Sequence, residues 1–204
     1  MPDFEIEKRF LKRGYRSIAG VDEVGRGALC GPVVAVSLVF PPALVQGRSP
    51  AWLRQANDSK LLTPKKRQDL LPFILAEAES VGVGLCSNVE VDQINIYWAS
   101  LQAMRRAVEQ MPLRPDVLLV DGFELKDVPF VQQGIPQGDR KSYSIAAASI
   151  VAKVLRDEMM ARCNLIFSGY SFDKNKGYGT QEHYRALQKY GQTSFHRQSF
   201  HLKS

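Results

Sequence analysis

Apolar residues are unevenly distributed along the chain, falling into short unbroken runs and longer stretches with steps of three and four. The run Ser17-Ile18-Ala19-Gly20-Val21 leads into Asp22, and residues 33–40 form a second run rich in β-branched side chains. Gly25, Gly27, Gly31 and Pro32 punctuate the interval, which predicts two paired strands joined by a glycine-rich turn. Thr63-Pro64 supplies a cap and a first-turn proline for a helix to about residue 80, with Leu70, Leu71, Ile74 and Leu75 on its apolar face. A buried strand over residues 81–87 follows. Across residues 91–110, Ile94, Trp98, Leu101, Met104 and Val108 recur at helical spacing and predict an amphipathic helix with one face on a sheet. Pro115 opens Val117-Leu118-Leu119-Val120, a run too short and too apolar for a surface helix, which ends at Asp121-Gly122 and reads as a central strand. Residues 123–140 read as loop and short strand, and the alanine-rich residues 144–163 as a helix that packs closely on a sheet. A last helix over residues 180–190 follows the glycine-rich segment 169–179.

Strands alternating with helices predict a layered α/β domain. The expectation is one domain over residues 1–204, with about residues 165–204 as a helical C-terminal extension. A chain of 204 residues, 45% hydrophobic, is long enough to bury a full core. Neither repeats, heptad arrays nor low-complexity tracts interrupt it. Cys30, Cys86 and Cys163 lie far apart in apolar surroundings and read as reduced core residues. The first 14 residues are charged throughout, and no run approaches the roughly 20 apolar residues of a membrane span, so a soluble cytoplasmic protein is expected. Lysine and arginine number 27 against 21 acids, a net charge of +6 that biases the surface toward polyanions without selecting one.

Four carboxylates stand out by position. Asp22 and Glu23 lie within or just after the first strand, Asp121 ends a central strand and Asp139 follows the turn residue Gly138. A bare carboxylate beside apolar strand residues is costly to bury unless a cation or donors meet it, so several converging at one place would make a hard-cation site. All-oxygen ligands without nearby His or Cys suit magnesium or manganese and disfavour zinc. The plainer alternative is that each acid caps a strand or binds turn amides. Adjacency of Asp22 and Glu23 weakens that alternative, because successive strand residues point to opposite faces.

Several segments together resemble the ribonuclease HII (type 2 ribonuclease H) family. They are Ala19-Gly20-Val21-Asp22-Glu23-Val24-Gly25-Arg26-Gly27, Asn57-Asp58-Ser59-Lys60, Val120-Asp121-Gly122, Gly138-Asp139, the helix over residues 146–157, Lys176-Gly177-Tyr178-Gly179-Thr180 and His196-Arg197-Gln198-Ser199-Phe200. They occur in the family's order and span about residues 18–200. Ala28 stands where the family commonly has proline and Leu61 where lysine is frequent, and neither departure touches a carboxylate.

The resemblance implies a ribonuclease H-like fold, with a central mixed five-stranded sheet flanked by helices and a C-terminal helical wall beside a substrate groove. It implies that Asp22, Glu23, Asp121 and Asp139 are the catalytic residues and hold two magnesium or manganese ions, Asp22 bridging both. Paired divalent ions about 3.5–4 Å apart can activate a water and stabilise the leaving 3′ oxygen without a histidine base, and neither His183, His196 nor His201 adjoins a carboxylate motif. In the family the Gly25-Arg26-Gly27 turn reads the 2′-hydroxyl through its backbone, and Tyr178 corresponds to the tyrosine that packs on the sugar after the ribonucleotide. A plain hairpin turn and a loop-anchoring aromatic are the alternatives. Lys60, Lys153, Lys176 and Arg197 are expected phosphate contacts, with solvated or structural charges as the alternative, while Ser149 and Asp157 read as structural. The implied partners are RNA–DNA hybrids and DNA containing ribonucleotides, met by a monomer. The tail His201-Leu202-Lys203-Ser204 offers no sliding-clamp pattern. A catalytically silent hybrid-binding module would lack the full acid set, and a metal-free carboxylate-pair hydrolase would survive EDTA.

Overall fold

The computed structural model describes residues 1–56, 58–126 and 128–200. Asn57 of the Asn57-Asp58-Ser59-Lys60 motif and the tail His201-Leu202-Lys203-Ser204, which offers no sliding-clamp pattern, lie outside the described residues. Five strands, Ile18–Val24 (β1), Val33–Val39 (β2), Ser80–Cys86 (β3), Val117–Asp121 (β4) and Val131–Ile135 (β5), form one sheet in the order β3-β2-β1-β4-β5. The β1-β2 and β2-β3 pairs are antiparallel, whereas β1-β4 and β4-β5 are parallel, so the sheet is mixed as expected. Every residue of β2 is buried, the pattern of a strand covered on both faces.

The helices are Glu5–Lys12 (α1), Pro42–Gln46 (α2), Pro64–Glu77 (α3), Asn88–Glu109 (α4), Tyr143–Ile166 (α5), Phe172–Asn175 (α6) and Gln181–Tyr190 (α7). Side-chain caps start the longer ones where the sequence offers hydroxyls. Thr63 accepts from Lys66, Ser142 from Ile145 and Thr180 from His183, while Ser87 and Glu90 form a reciprocal capping box. Because α1 is eight residues long and drives in only Ile6, Glu7 and Phe10, the apolar periodicity that marks longer helices never develops there.

Helices α3 and α5 cover one face of the sheet, around Val34, Val36, Leu38, Leu70, Ile74 and Ile150. Helix α4 covers the other, with Ala99, Ala103, Met104 and Ala107 against Val21, Val33, Val120 and their neighbours. Two predicted apolar faces need correction. On α3, Leu70 and Ile74 are buried but Leu75 is exposed. On α4, Met104 and Val108 are buried while Ile94 and Trp98 are 39% and 43% exposed. The cause is a break at Asn95 (φ 64°, ψ 167°), whose Oδ1 accepts from the amides of Tyr97 and Trp98 and so caps the second half of the helix. The two halves no longer share one stripe.

Beyond α5, a 3₁₀ turn at Ser168–Tyr170 and helices α6 and α7 pack around Tyr170, Phe172 and Leu187 against Leu29, Cys30 and Met160. Among the described residues no helix is long and apolar enough to cross a membrane.

Strand β1 and helix α5 approach each other closely. A Cβ on Gly20 would lie 2.1 Å from the carbonyl carbon of Ser144. Next to it, Ala146, Ala147, Ala148 and Ala152 are wholly buried, so the first turns of α5 lie almost directly on the strand. Gly20→Ala is expected to destabilise the fold by about 1–3 kcal/mol through overpacking, measured as a lowered urea midpoint. An unchanged midpoint would mean that α5 can withdraw from β1.

Candidate active site

Parallel pairing aligns β1 with β4 as far as Val21 and Val120, and the next residue of each strand is Asp22 or Asp121. Neighbouring strands lie about 4.8 Å apart, so the two carboxylates emerge side by side at the C-terminal ends of two inner strands. Ala19 and Val21, like Leu118 and Val120, pack on the α4 side. Alternation therefore turns Asp22 and Asp121 toward α5 and Glu23 toward α4. Glu23 pairs with Arg26 at 3.2 Å, and the two share a small cleft with Asp121, Tyr97, Ser100 and Phe123.

Asp139 arrives on the 3₁₀ turn Gly138–Arg140, immediately before the Ser142 cap of α5. Two contacts fix this turn. The Gly138 amide donates to Asp121 Oδ1 at 2.6 Å, and Arg140 clasps Asp58 Oδ2 through Nη2 at 2.8 Å and Nε at 3.2 Å.

These acids disturb one another. Burial raises the Asp22 carboxyl well above the usual carboxylate range, and the charges of Glu23 and Asp121 add to the effect. Burial pushes Glu23 up to about 7, with Arg26 opposing and Asp121 reinforcing the rise. Asp139 is raised to about 6 by burial, then by Asp121 and Asp58. Four acceptor-only groups thus stand within electrostatic reach of one another, while Arg26, their paired cation, is exposed at the edge. They do not close into a ready-made cage. Among the described residues no three carboxylate, imidazole or thiol groups are drawn together as tightly as a bound ion would hold them. Three of the four are held in part by a donor of their own: Glu23 N on Asp22, Gly138 N on Asp121 and Arg26 on Glu23. An open, mutually repelling, all-oxygen cluster fits a hard divalent cation, which would remove the repulsion and draw the oxygens inward.

The Gly25-Arg26-Gly27 turn follows β1 directly. Gly25 has φ +98°, and a Cβ there would strike the Arg156 side chain. Gly27 is different, because a Cβ there would meet nothing within 4 Å and its φ is ordinary. The fold does not require glycine at this exposed position, so the space it leaves faces outward.

Arg197 does not serve as the phosphate contact expected of it. It is 1% exposed, and its Nε, Nη1 and Nη2 donate to the carbonyls of Gly31, Arg26 and Gly25. Burial, then neighbouring Arg156, lowers its guanidinium to about 10. Its role is to brace the turn from behind. Lys153 also points inward, pairing with Asp157 at 2.6 Å and lying 5.6 Å from the Tyr178 ring. Lys60 is exposed, near enough to Asp139 to oppose its rise, and the Lys176 ammonium donates to the Asp173 carbonyl. The half-buried Tyr178 ring lies 5.3 Å from the Arg156 guanidinium, itself anchored on the carbonyls of Pro32, Lys176 and Cys30.

Sequence reasoning passed over several supports of this site. Ser149, read as structural, hydrogen-bonds Asp22 and pairs with the Ser59 hydroxyl at 2.9 Å, tying the acid to the Asp58-Ser59-Lys60 loop. Asp157 is structural as expected, holding Lys153 and Arg67. Asp58 belongs to a family-like motif and Arg140 directly follows another, and nothing else in the sequence signalled their pairing; Arg156 lies in the helix over residues 146–157 with nothing to mark it.

Residues 19–203 match the family described as Ribonuclease HII. A protein of that name from Caldicellulosiruptor saccharolyticus is 45% identical over 197 residues, covering 97% of this chain and 93% of its own. Among solved structures, ribonuclease H2 from Pyrococcus horikoshii superposes with a TM-score of 0.73 at 23% identity, over 90% of this chain and 93% of that one. A ribonuclease HII from Archaeoglobus fulgidus, solved in a complex with PCNA, gives 0.71 at 22% identity over 92% and 96%. These likenesses at low identity carry the fold, and the close relative and the family match carry the activity. The chain belongs to the ribonuclease HII family, the metal-dependent endoribonucleases of the ribonuclease H type.

Proposed function

We propose that this enzyme hydrolyses the RNA strand of RNA–DNA hybrids and cuts on the 5′ side of ribonucleotides embedded in duplex DNA, leaving 5′-phosphate and 3′-hydroxyl ends. Its role would then be ribonucleotide removal from DNA. The observation that carries this reading is the parallel register that sets Asp22 beside Asp121, with Glu23 and Asp139 electrostatically coupled to them.

Asp22, Glu23, Asp121 and Asp139 would hold two magnesium or manganese ions. When bound, such ions supply the positive charge that eases deprotonation of an attacking water and stabilises the leaving 3′ oxygen. The protein's own contribution is placement. Asp121 stays fixed through Gly138, Asp139 through the clasp of Arg140 on Asp58, and Asp22 through Ser149. The space beside Gly27 admits a sugar edge against the backbone, where the 2′-hydroxyl distinguishes ribose from deoxyribose. Tyr178, across from that turn, would pack on the following sugar and favour an RNA-to-DNA junction. Exposed Lys60 is the basic residue best placed to meet a phosphate beside Asp139.

Asp121→Asn removes a ligand charge at nearly constant shape. Loss of an outer-shell partner alone typically costs 10–100-fold, so cleavage of an end-labelled duplex carrying one ribonucleotide should fall by more than roughly 100-fold. Turnover retained at millimolar magnesium, or wild-type cutting in EDTA, would defeat the proposed chemistry.

Tyr178→Ala is expected to reduce cutting at an isolated ribonucleotide more than cutting of a long hybrid. Equal losses on the two substrates would count against junction reading.

The acid cluster also predicts how the metal-free protein responds to pH. Glu23 and Asp139 titrate at about 7 and about 6, above their ordinary values. Their favourable contribution is therefore complete below the ordinary carboxylate range and lost as pH rises from there through those values. The urea midpoint of metal-free protein should decline from about pH 5 to about pH 7.5, Glu23→Gln should flatten that decline, and magnesium should reverse it by binding only the folded state. A flat profile without a magnesium response would rule out the coupled cluster.

A further inference from the structure

Two histidines that play no part in the chemistry above form a buried pair between α7 and the segment after it. His183 is 0% exposed and His196 1%, and their Nε2 atoms are 3.0 Å apart. The outer ends of the pair settle which nitrogens carry protons. His196 Nδ1 lies 2.8 Å from the Thr193 amide, which can only donate, so Nδ1 is an acceptor and the His196 proton sits on Nε2. His183 Nε2 must then accept that proton's hydrogen bond, which leaves the His183 proton on Nδ1. That nitrogen lies 3.0 Å from the Tyr178 carbonyl, which can only accept. Both ends agree on one chain running from the Thr193 amide through His196 and His183 to the Tyr178 carbonyl.

Both rings must be neutral for the chain to exist, and their surroundings keep them so. Tyr170 and Phe172 pack against both imidazoles. Burial, then the neighbouring ring, lowers His196 to about 4, and burial lowers His183.

The chain ends on the residue that carries the proposed junction contact. The Tyr178 carbonyl also accepts from the Thr180 amide at 2.8 Å, so His183 fills its second lone pair. The loop is tied in addition by Leu29 N on the Gly177 carbonyl and by Arg156 on the Lys176 carbonyl. His196 is followed directly by Arg197, the brace of the Gly25-Arg26-Gly27 turn. One dipeptide therefore reaches both the Tyr178 loop, through His183, and the turn.

We propose that His183 and His196 are positioning residues for Tyr178, and that the adjacent His196 and Arg197 fix the distance between the tyrosine and the Gly25-Arg26-Gly27 turn, so that a single ribonucleotide and the sugar after it are read together. The consequence for substrate choice rests on the junction reading of Tyr178, whereas the positioning itself does not.

Two half-cut variants separate the links. In His183→Gln the amide reaches the Nε2 position and keeps the contact with His196 but gives up the Tyr178 carbonyl. In His183→Asn the amide sits at the Nδ1 position and keeps the Tyr178 carbonyl but gives up His196. Hydrogen exchange of residues 176–180 reads the positioning. It should rise in His183→Gln, rise less in His183→Asn, and stay at wild-type levels elsewhere in α7 and in the sheet. Exchange unchanged in His183→Gln, or raised throughout the protein, would overturn the proposal. The ratio of kcat/KM on a duplex with one ribonucleotide to that on a long hybrid reads the consequence. It should fall roughly three- to tenfold in His183→Gln, the range one lost hydrogen bond covers, with partial recovery in His183→Asn. Tyr178→Ala measured alongside tells the two ideas apart. If it leaves the ratio unchanged the junction reading fails, while locally raised exchange in His183→Gln still upholds the positioning.

Discussion

The structure turns on the cost of holding several carboxylates together at one end of the inner strands. The parallel pairing of β1 and β4 brings Asp22 beside Asp121, and burial removes the water that would otherwise screen them. Without a compensating charge such groups retain protons, as the upward shifts of Asp22, Glu23 and Asp139 record. The rest of the architecture keeps the acids close in spite of this. Gly20 lets α5 lie on β1, the base of α5 carries the Asp139 turn, and that turn donates its Gly138 amide to Asp121. A strained arrangement of this kind is characteristic of a site whose stability is completed by a ligand.

Much of this was legible in the sequence because strand ends and turn residues are local signals. The apolar runs located four of the five strands within a few residues, and the change from apolar run to carboxylate marked Asp22 and Asp121. What could not be read was anything set by packing at a distance. The break at Asn95 depends on a side-chain cap that competes with the helix, and periodicity over residues 91–110 carries no trace of it. Arg197 looked like any basic residue near a motif, and only the folded chain discloses that three carbonyls surround it. Ser149, one hydroxyl on an alanine-rich helix, gave no hint that it touches Asp22.

Two buried guanidiniums, Arg156 and Arg197, organise the Gly25-Arg26-Gly27 turn and the Tyr178 loop, both donating to backbone carbonyls. Carbonyls of the turn and of residues 30–32, which lead into β2, are thereby tied to the α5 helix and to the C-terminal segment. Substrate-facing loops usually sit at the mobile end of a protein's stability range. Here the turn and the Tyr178 loop are joined to the buried helix α5, so their geometry derives from the core.

The brace from Arg197 also determines what the turn can offer. In a trans peptide the N–H points opposite to its C=O. With the carbonyls of Gly25 and Arg26 drawn back onto the guanidinium, the amides of Arg26 and Gly27 are directed away from it. The turn is thus polarised, with its partial positive charge outward, and whatever docks against it has to bring lone pairs of its own.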